Sequence, residues 1–504
     1  MVYGDGRGEF AEDPPRKMPR IEGSASMLHG GAYQGFTFGS GSGVGKVRYA
    51  DLNPGRFFTE YVAARRPVVI EGCIPEAEGW RGGRWTNDYL RKKAGDALVK
   101  VEWRSTKKER FGQGQEKEIK FGEFLRELER GNELLYLTTQ DLGVDATGRP
   151  RLMSTPLDRL KGDFPMRPKL MAGLVPQNMN LWMGLSRGTG SSSGLHHDFH
   201  DNLYVLLRGR KTFRLFSPAE VDRMYLEGKV VKVHSNGRIN YEGEETLADG
   251  ADPMAETAAR AAALVDKAAL RAEDAVAQAT IGHEERDAED RLASAEDELE
   301  EALEAVLDAE CMGGNGSEEF SSESSEDDEE GEEMLGGISR DHLRQVLEAG
   351  VARSGSGDRK RASAGIPRDQ HDGDAEHDDR SHVSSKKICI AKKKEGPPSN
   401  FSRVDPSLSR SELEQNFPLF VDAQERLVEV QAGQMLYLPA GWFHEVSSVA
   451  SDDGHMALNY WFHPPDVGSG GDGGNPYKSR FWQDDWAARE DDVSDGSGNG
   501  DTED

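Results

Sequence analysis

The chain has 504 residues, 62 of them Lys or Arg and 91 Asp or Glu, which gives a formal net charge of -29, and only 36% of residues are hydrophobic. That acidity argues against unaided binding to nucleic acid or an anionic membrane, because phosphate contacts are made by clustered Lys and Arg. Three widely spaced cysteines, Cys73, Cys311 and Cys389, none with zinc spacing, exclude a disulfide scaffold and suit an intracellular location, nucleus or cytoplasm.

No run of about 18 apolar residues exists, so no membrane span is expected, and the N-terminus lacks the apolar segment of a secretory signal. Residues 1 to 45 are Gly/Ser-rich and read as a disordered tail, with a basic cluster at Pro14 to Arg20 compatible with nuclear import. A first folded part is expected over 46–245. In it, Phe57 to Val62 reads as a helix, Pro67 to Gly72 as a strand, Trp85 to Leu90 as the start of a helix and Leu98 to Trp103 as a strand. Phe121 to Leu128 has helical spacing, and Leu134 to Leu137 and Leu181 to Leu185 read as strands. The Ser/Gly loop Gly188 to Gly194 lacks the Gly-Lys-Ser/Thr ending of a phosphate-cradling loop and leads into a strand.

His196 to Phe216 then reads as two apolar strands meeting at Gly209. In a strand, side chains at i and i+2 share a face, so His196 and Asp198 can point at one ion, with Asn202 on the same parity. That is two of the three ligands of a 2-His-1-carboxylate site. The spacing recurs at His283 and His377, in helical acidic and low-complexity settings, and only His196 opens a strand pattern. Lys211 has the parity of Phe213 and Leu215. If those two face a core, so does the ammonium, and a buried lysine needs an anionic partner or a large pKa depression.

Beyond a short helix at Val221 to Tyr225 and extended pieces at Val230 to Val233 and Ile239 to Tyr241, an acidic insertion is expected over 246–415. Residues 255 to 310 are Ala/Glu/Asp-rich without proline and read as a long exposed helix, with a weak coiled-coil seam at Leu292, Leu299 and Val306. Ser317 to Glu333 is a Ser/acidic run suited to acid-directed phosphorylation, Ser339 to Val351 reads as a short helix, and Lys386 to Lys394 carries a second basic cluster. The folded part resumes over 416–466 with strands at Leu427 to Val430, Met435 to Leu438, Trp442 to Val446 and Met456 to Phe462, too few for a stable sheet alone. They must pair with the strands before the insertion. In the Gly/Asp-rich tail 467–504, the aromatics of Tyr477 to Trp486 are expected to dock on the domain or on a second copy, as a homodimer. His444, after an apolar strand and a Pro/Gly turn, is the favoured third metal ligand over His455 and His463.

Taken together, His196-x-Asp198, Lys211, Gly433-x-Met435-Leu436-Tyr437-Leu438-Pro439 leading to His444, and Leu458-Asn459-Tyr460-Trp461 resemble the JmjC fold in its small cupin-like branch, which contains asparaginyl and lysyl hydroxylases. The resemblance covers about 47 to 245 and 416 to 465. It implies a mainly β double-stranded β-helix (jelly roll) with decorating helices, interrupted by the insertion. It implies Fe(II) held by His196, Asp198 and His444, and 2-oxoglutarate as cosubstrate, its distal carboxylate on Lys211 with help from Tyr136 and Ser193. Asn202 and Asn459 match positions near the chelating carboxylate. The implied reaction consumes O2 and hydroxylates a protein side chain. A histone lysine demethylase or tRNA-base hydroxylase shares the metal site, and an inactive scaffold acting through the acidic insertion is the non-enzyme alternative. The long insertion departs from the family pattern and leaves partner choice open.

Overall fold

A computed structural model describes residues 33–41, 43–106, 115–145, 149–187, 191–257, 259–260, 334–335, 338–339, 397–451, 453–467 and 476–494. The Leu292/Leu299/Val306 seam, the Ser317 to Glu333 run, both basic clusters and nearly all of the helices expected at 255–310 and 339–351 lie outside these residues. The chain divides into two compact units, one of residues 1–250, 398–478 and 494–504, the other of 251–397 and 479–493. The second contributes a helix at Phe481–Ser494 and a small hairpin pairing Met334–Leu335 with Ile338–Ser339.

The first unit is mainly β. Its strands are β1 (Gly45–Arg48), β2 (Val68–Glu71), β3 (Leu98–Trp103), β4 (Gln115–Lys120), β5 (Leu135–Leu137), β6 (Pro176–Gly184), β7 (Ser191–Ser192), β8 (His196–His197), β9 (Asp201–Arg208), β10 (Arg210–Phe216), β11 (Val230–Val233) and β12 (Ile239–Tyr241). After the insertion come β13 (Arg426–Gln431), β14 (Gln434–Leu438), β15 (Phe443–Val449) and β16 (His455–Phe462). Nine strands form one sheet in the order β1-β2-β14-β9-β16-β6-β5-β3-β4, and β13-β10-β15-β7 form a second, with β8 on β15. The strands after the insertion therefore alternate with those before it in both sheets. Helices are few: α1 (Pro54–Phe57), α2 (Asn87–Ala94, capped by Thr86), α3 (Phe121–Glu129) and α4 (Arg410–Asn416, with a Ser409/Glu412 capping box).

The two strands that meet at Gly209 do not pair. β9 runs between β14 and β16 in the large sheet, and β10 between β13 and β15 in the small one. Gly209 makes this crossing at φ +76, where a Cβ would stand 2.7 Å from the Val449 carbonyl oxygen. The core lies between the sheets, with Tyr204 and Leu206 of β9 facing Phe213 and Leu215 of β10, joined by Val428, Leu436 and Trp442.

Three boundaries differ from the sequence reading. Tyr33, Phe36 and Phe38, in the expected tail, pack on the domain, the two phenylalanines lying 6.4 and 5.2 Å from the Trp442 ring. Residues 246–250 remain tied to the domain through Thr246 O to Asn240 and Ala248 O to Asn236. The domain also resumes at 398 rather than 416, with Val404 fully buried. The first two segments are short and without helical or strand period, and the third opens on isolated bridges at Phe401 and Ser402 before α4 begins at Arg410. Tyr477 docks within the domain, its hydroxyl donating to His463 O and accepting from Val175 N, both at 2.9 Å.

Candidate metal centre

The expected single strand from His196 to Arg208 is broken. β8 pairs with β15 in the small sheet, Asp198 to His200 leave it, and β9 starts at Asp201 in the large sheet. Asp201 is fixed there by a fully buried ion pair with Arg65 (2.5 and 2.8 Å), by the Tyr437 hydroxyl at 2.6 Å and by Ala440 N at 2.9 Å. Asp198 O accepts from Gly441 N at 2.9 Å. Gly441 sits at φ +77, where a Cβ would overlap Gly237 O at 1.8 Å, so only glycine lets this turn come so close. The kink is thus held from both sides, and it points Asp198 at the two histidines.

His196 and His444 are register partners on β8 and β15, with ring centroids 4.4 Å apart. With Asp198 they offer ligand atoms within 4.8 Å of one another, the one such His/Cys/Asp/Glu cluster among the described residues. His196 Nδ1 lies 3.0 Å from Gly194 O and His444 Nδ1 2.9 Å from Trp442 O. A carbonyl only accepts, so each Nδ1 carries the proton and each Nε2 presents a lone pair to the shared space. Burial, reinforced by His444, holds His196 down at about 4, so it stays a neutral ligand. Burial pushes the Asp198 carboxyl up, but the two histidines and the Trp461 indole outweigh it and keep the group below its ordinary value, as an anion. Two imidazole nitrogens and one carboxylate oxygen on one side of a cavity suit Fe(II) with open positions.

Asp198 Oδ2 accepts from Trp461 Nε1 at 3.2 Å and from Asn202 Nδ2 at 3.3 Å. Asn202 Oδ1 accepts from Asn459 Nδ2 at 3.3 Å, and Asn459 Oδ1 from Trp182 Nε1 at 2.8 Å. The expected Asn202 lines the cavity. Asn459 is fully buried behind it and orients it, two layers from the metal site.

The cavity, about 330 Å3, reaches from the ligands to Lys211. The inward parity of Lys211, Phe213 and Leu215 holds: they are 1%, 2% and 0% exposed. The Lys211 ammonium donates to Ser448 Oγ at 2.6 Å and Tyr136 OH at 3.5 Å, and pairs with no carboxylate among the described residues. Burial alone brings it down to about 7. Burial raises the Tyr136 phenol, so it remains a neutral donor. A buried ammonium with no carboxylate partner among the described residues has the chemistry to take an anion.

Ser193 lines the cavity too, but its hydroxyl is engaged with backbone, accepting from Val446 N and donating to Gly194 O, both at 3.0 Å. The hydroxyl that meets Lys211 is Ser448, its register partner on β15, which sequence reasoning missed. The period-2 series His444, Val446, Ser448 was the available signal. Of the other histidines, His197 is buried in a 2.6 Å contact with the Tyr241 hydroxyl, and His455 and His463 lie outside the ligand cluster.

A cupin-like domain model matches residues 54–467. The chain is 34% identical over 464 residues to JmjC domain-containing protein 4 of Schizosaccharomyces pombe, covering 86% of this chain and 87% of that one. It is also 26% identical to lysine-specific demethylase 8 of Danio rerio over 38% of this chain and 45% of that one, and 31% identical to tRNA wybutosine-synthesizing protein 4 of Neurospora crassa over 33% and 13%. With a His-Asp-His cluster at one end of the barrel cavity and a buried lysine at the other, this chain belongs to the cupin-like JmjC family, whose domains generally use Fe(II) and 2-oxoglutarate.

Proposed function

We propose that the protein is an Fe(II)- and 2-oxoglutarate-dependent oxygenase that hydroxylates a protein side chain. The observation that carries this reading is one cavity with His196, Asp198 and His444 at one end and the carboxylate-free Lys211 ammonium at the other. Lys211 binds the distal carboxylate of the keto acid, with Ser448 and Tyr136 orienting the ammonium and donating to the same oxygens. Asn202 is placed to donate to the carboxylate nearer the metal, held there by Asn459. When bound, Fe(II) supplies with O2 and the keto acid the oxidant that takes hydrogen from a nearby C–H bond. Phe213, Trp182 and Trp461 line the cavity and keep water from the reacting bond.

Demethylation of an N-methyl-lysine is the second reading, favoured by the name of the Danio rerio relative. A tRNA base is disfavoured by the charge of -29. The deciding experiment compares proteomes of cells carrying the wild-type chain or Asp198→Ala by mass spectrometry. The hydroxylase reading predicts side chains that gain one oxygen atom only with the wild-type protein. Lysines that lose methyl groups only with the wild-type protein would overturn it.

A further inference from the structure

The segment that returns to the domain after the insertion builds one wall of the cavity, and its tie to the metal site is unusually direct. The Phe401 ring lies on the His196 ring with centroids 4.9 Å apart and planes within 11° of parallel, and the two residues face each other in an antiparallel bridge. The flanking backbone is fastened to the ligand strand on both sides. His197 N donates to Asn400 O at 3.2 Å, Asn400 Nδ2 donates to His197 O at 2.6 Å, and Ser402 N donates to Leu195 O at 2.8 Å. Phe401 is therefore held in place independently of its own side chain. The His196 ring has one hydrogen bond of its own, Nδ1 to Gly194 O, and the His444 ring 4.4 Å away is tilted by 52° rather than stacked on it, which leaves the imidazole freedom to tilt about that bond. The flat face of Phe401 removes that freedom, because tilting the imidazole drives it into the phenyl ring.

We propose that Phe401 is a positioning residue of the metal centre, fixing the plane of the His196 imidazole so that its Nε2 meets the ion in common with Asp198 and His444. The inference rests on reading those three residues as metal ligands. Partners that orient a ligand typically change metal affinity by about 10- to 100-fold when removed. One aromatic face, with no hydrogen bond, belongs at the low end of that range.

The test is anaerobic titration of the full chain with Co(II), read by the visible d–d absorption that reports ligand geometry, with thermal melting to confirm folding. Phe401→Ala is expected to weaken Co(II) binding about tenfold and to alter the band, and Phe401→Tyr, which keeps the ring, to restore both. Phe401→Leu keeps apolar volume without a flat face, so it serves if the alanine variant fails to fold, and it too is expected to weaken binding and alter the band. Wild-type affinity and spectrum in folded Phe401→Ala or Phe401→Leu, beside loss of binding in Asp198→Ala, would overturn the role of Phe401 alone. Unchanged binding in Asp198→Ala would overturn the ligand assignment beneath it.

Discussion

At the metal end of the cavity each ligand has a fixed partner: His196 a carbonyl, His444 a carbonyl, Asp198 an indole and a carboxamide. At the other end Lys211, 1% exposed where His196 and Asp198 are only part-buried, donates to two hydroxyls. On the proposed function the first end, with its ligands already oriented, takes an ion, and the second, with a buried ammonium lacking a carboxylate, takes a negative charge. One strand, β15, carries both His444 and Ser448, four positions apart on one face, so the two ends are set at a fixed separation. The difference teaches that the ligand end should respond to substitution through metal affinity, and the lysine end through cosubstrate affinity and pH.

Removing a ligand breaks the first end outright. Asp198→Ala is expected to reduce metal-dependent turnover about 1,000-fold or more, measured as succinate formed from 2-oxoglutarate.

Removing the ammonium breaks the second end and separates function from stability. Lys211→Met is expected to raise the KM for 2-oxoglutarate about 100-fold, the scale of a lost buried charge pair, while raising the melting temperature of the ligand-free protein. The pH dependence fixes the sign. The folded value of about 7 lies below the ordinary lysine value of 10.5, so between these the unfolded chain binds more protons and wild-type stability rises with pH. The burial penalty is full below about 7 and fades as pH rises toward 10.5, so the gain in Lys211→Met shrinks over that window. Binding runs the other way. The anion takes the ammonium form, so 2-oxoglutarate affinity is highest below about pH 7 and weakens above it, a slope that calorimetry should find absent in Lys211→Met.

Smaller changes sharpen the comparison. Ser448→Ala removes one hydroxyl at the lysine end and is expected to raise the KM for 2-oxoglutarate about tenfold with metal affinity unchanged. Trp461→Phe removes one of two donors to Asp198 and is expected to weaken Mn(II) binding by a factor of about 3 to 10, the low end for groups behind a ligand, with Lys211-dependent pH behaviour unchanged.

Local pattern made much of this legible. Spacing picks out the His196/Asp198 pair, although a kink after His197 rather than a shared strand face brings the two together. His444 is picked out by a strand followed by a Pro/Gly turn, and the inward face of Lys211 by Phe213 and Leu215. Most strand assignments survived because they are runs of apolar or alternating residues; the exception, His196 to Arg208, reads as one strand and is broken at Asp198 to His200. What stayed hidden depends on contacts between distant segments. The break at Asp198 to His200 is held by Arg65 and Gly441, and the stacking of Phe401 on His196 crosses 205 positions of chain in a segment without period. Ser448 was hidden for another reason, since a serine on a strand gives no sign of which ammonium it will meet.

The central claim is that the two ends accept the two ends of one 2-oxo dicarboxylate. Anaerobic addition of 2-oxoglutarate to Fe(II)-loaded protein tests it most directly, through the visible charge-transfer band of a chelated keto acid. The account predicts a saturable band in wild type, none in Asp198→Ala, and the same band at about 100-fold higher 2-oxoglutarate in Lys211→Met. No band in wild type, or identical titrations in wild type and Lys211→Met, would contradict it.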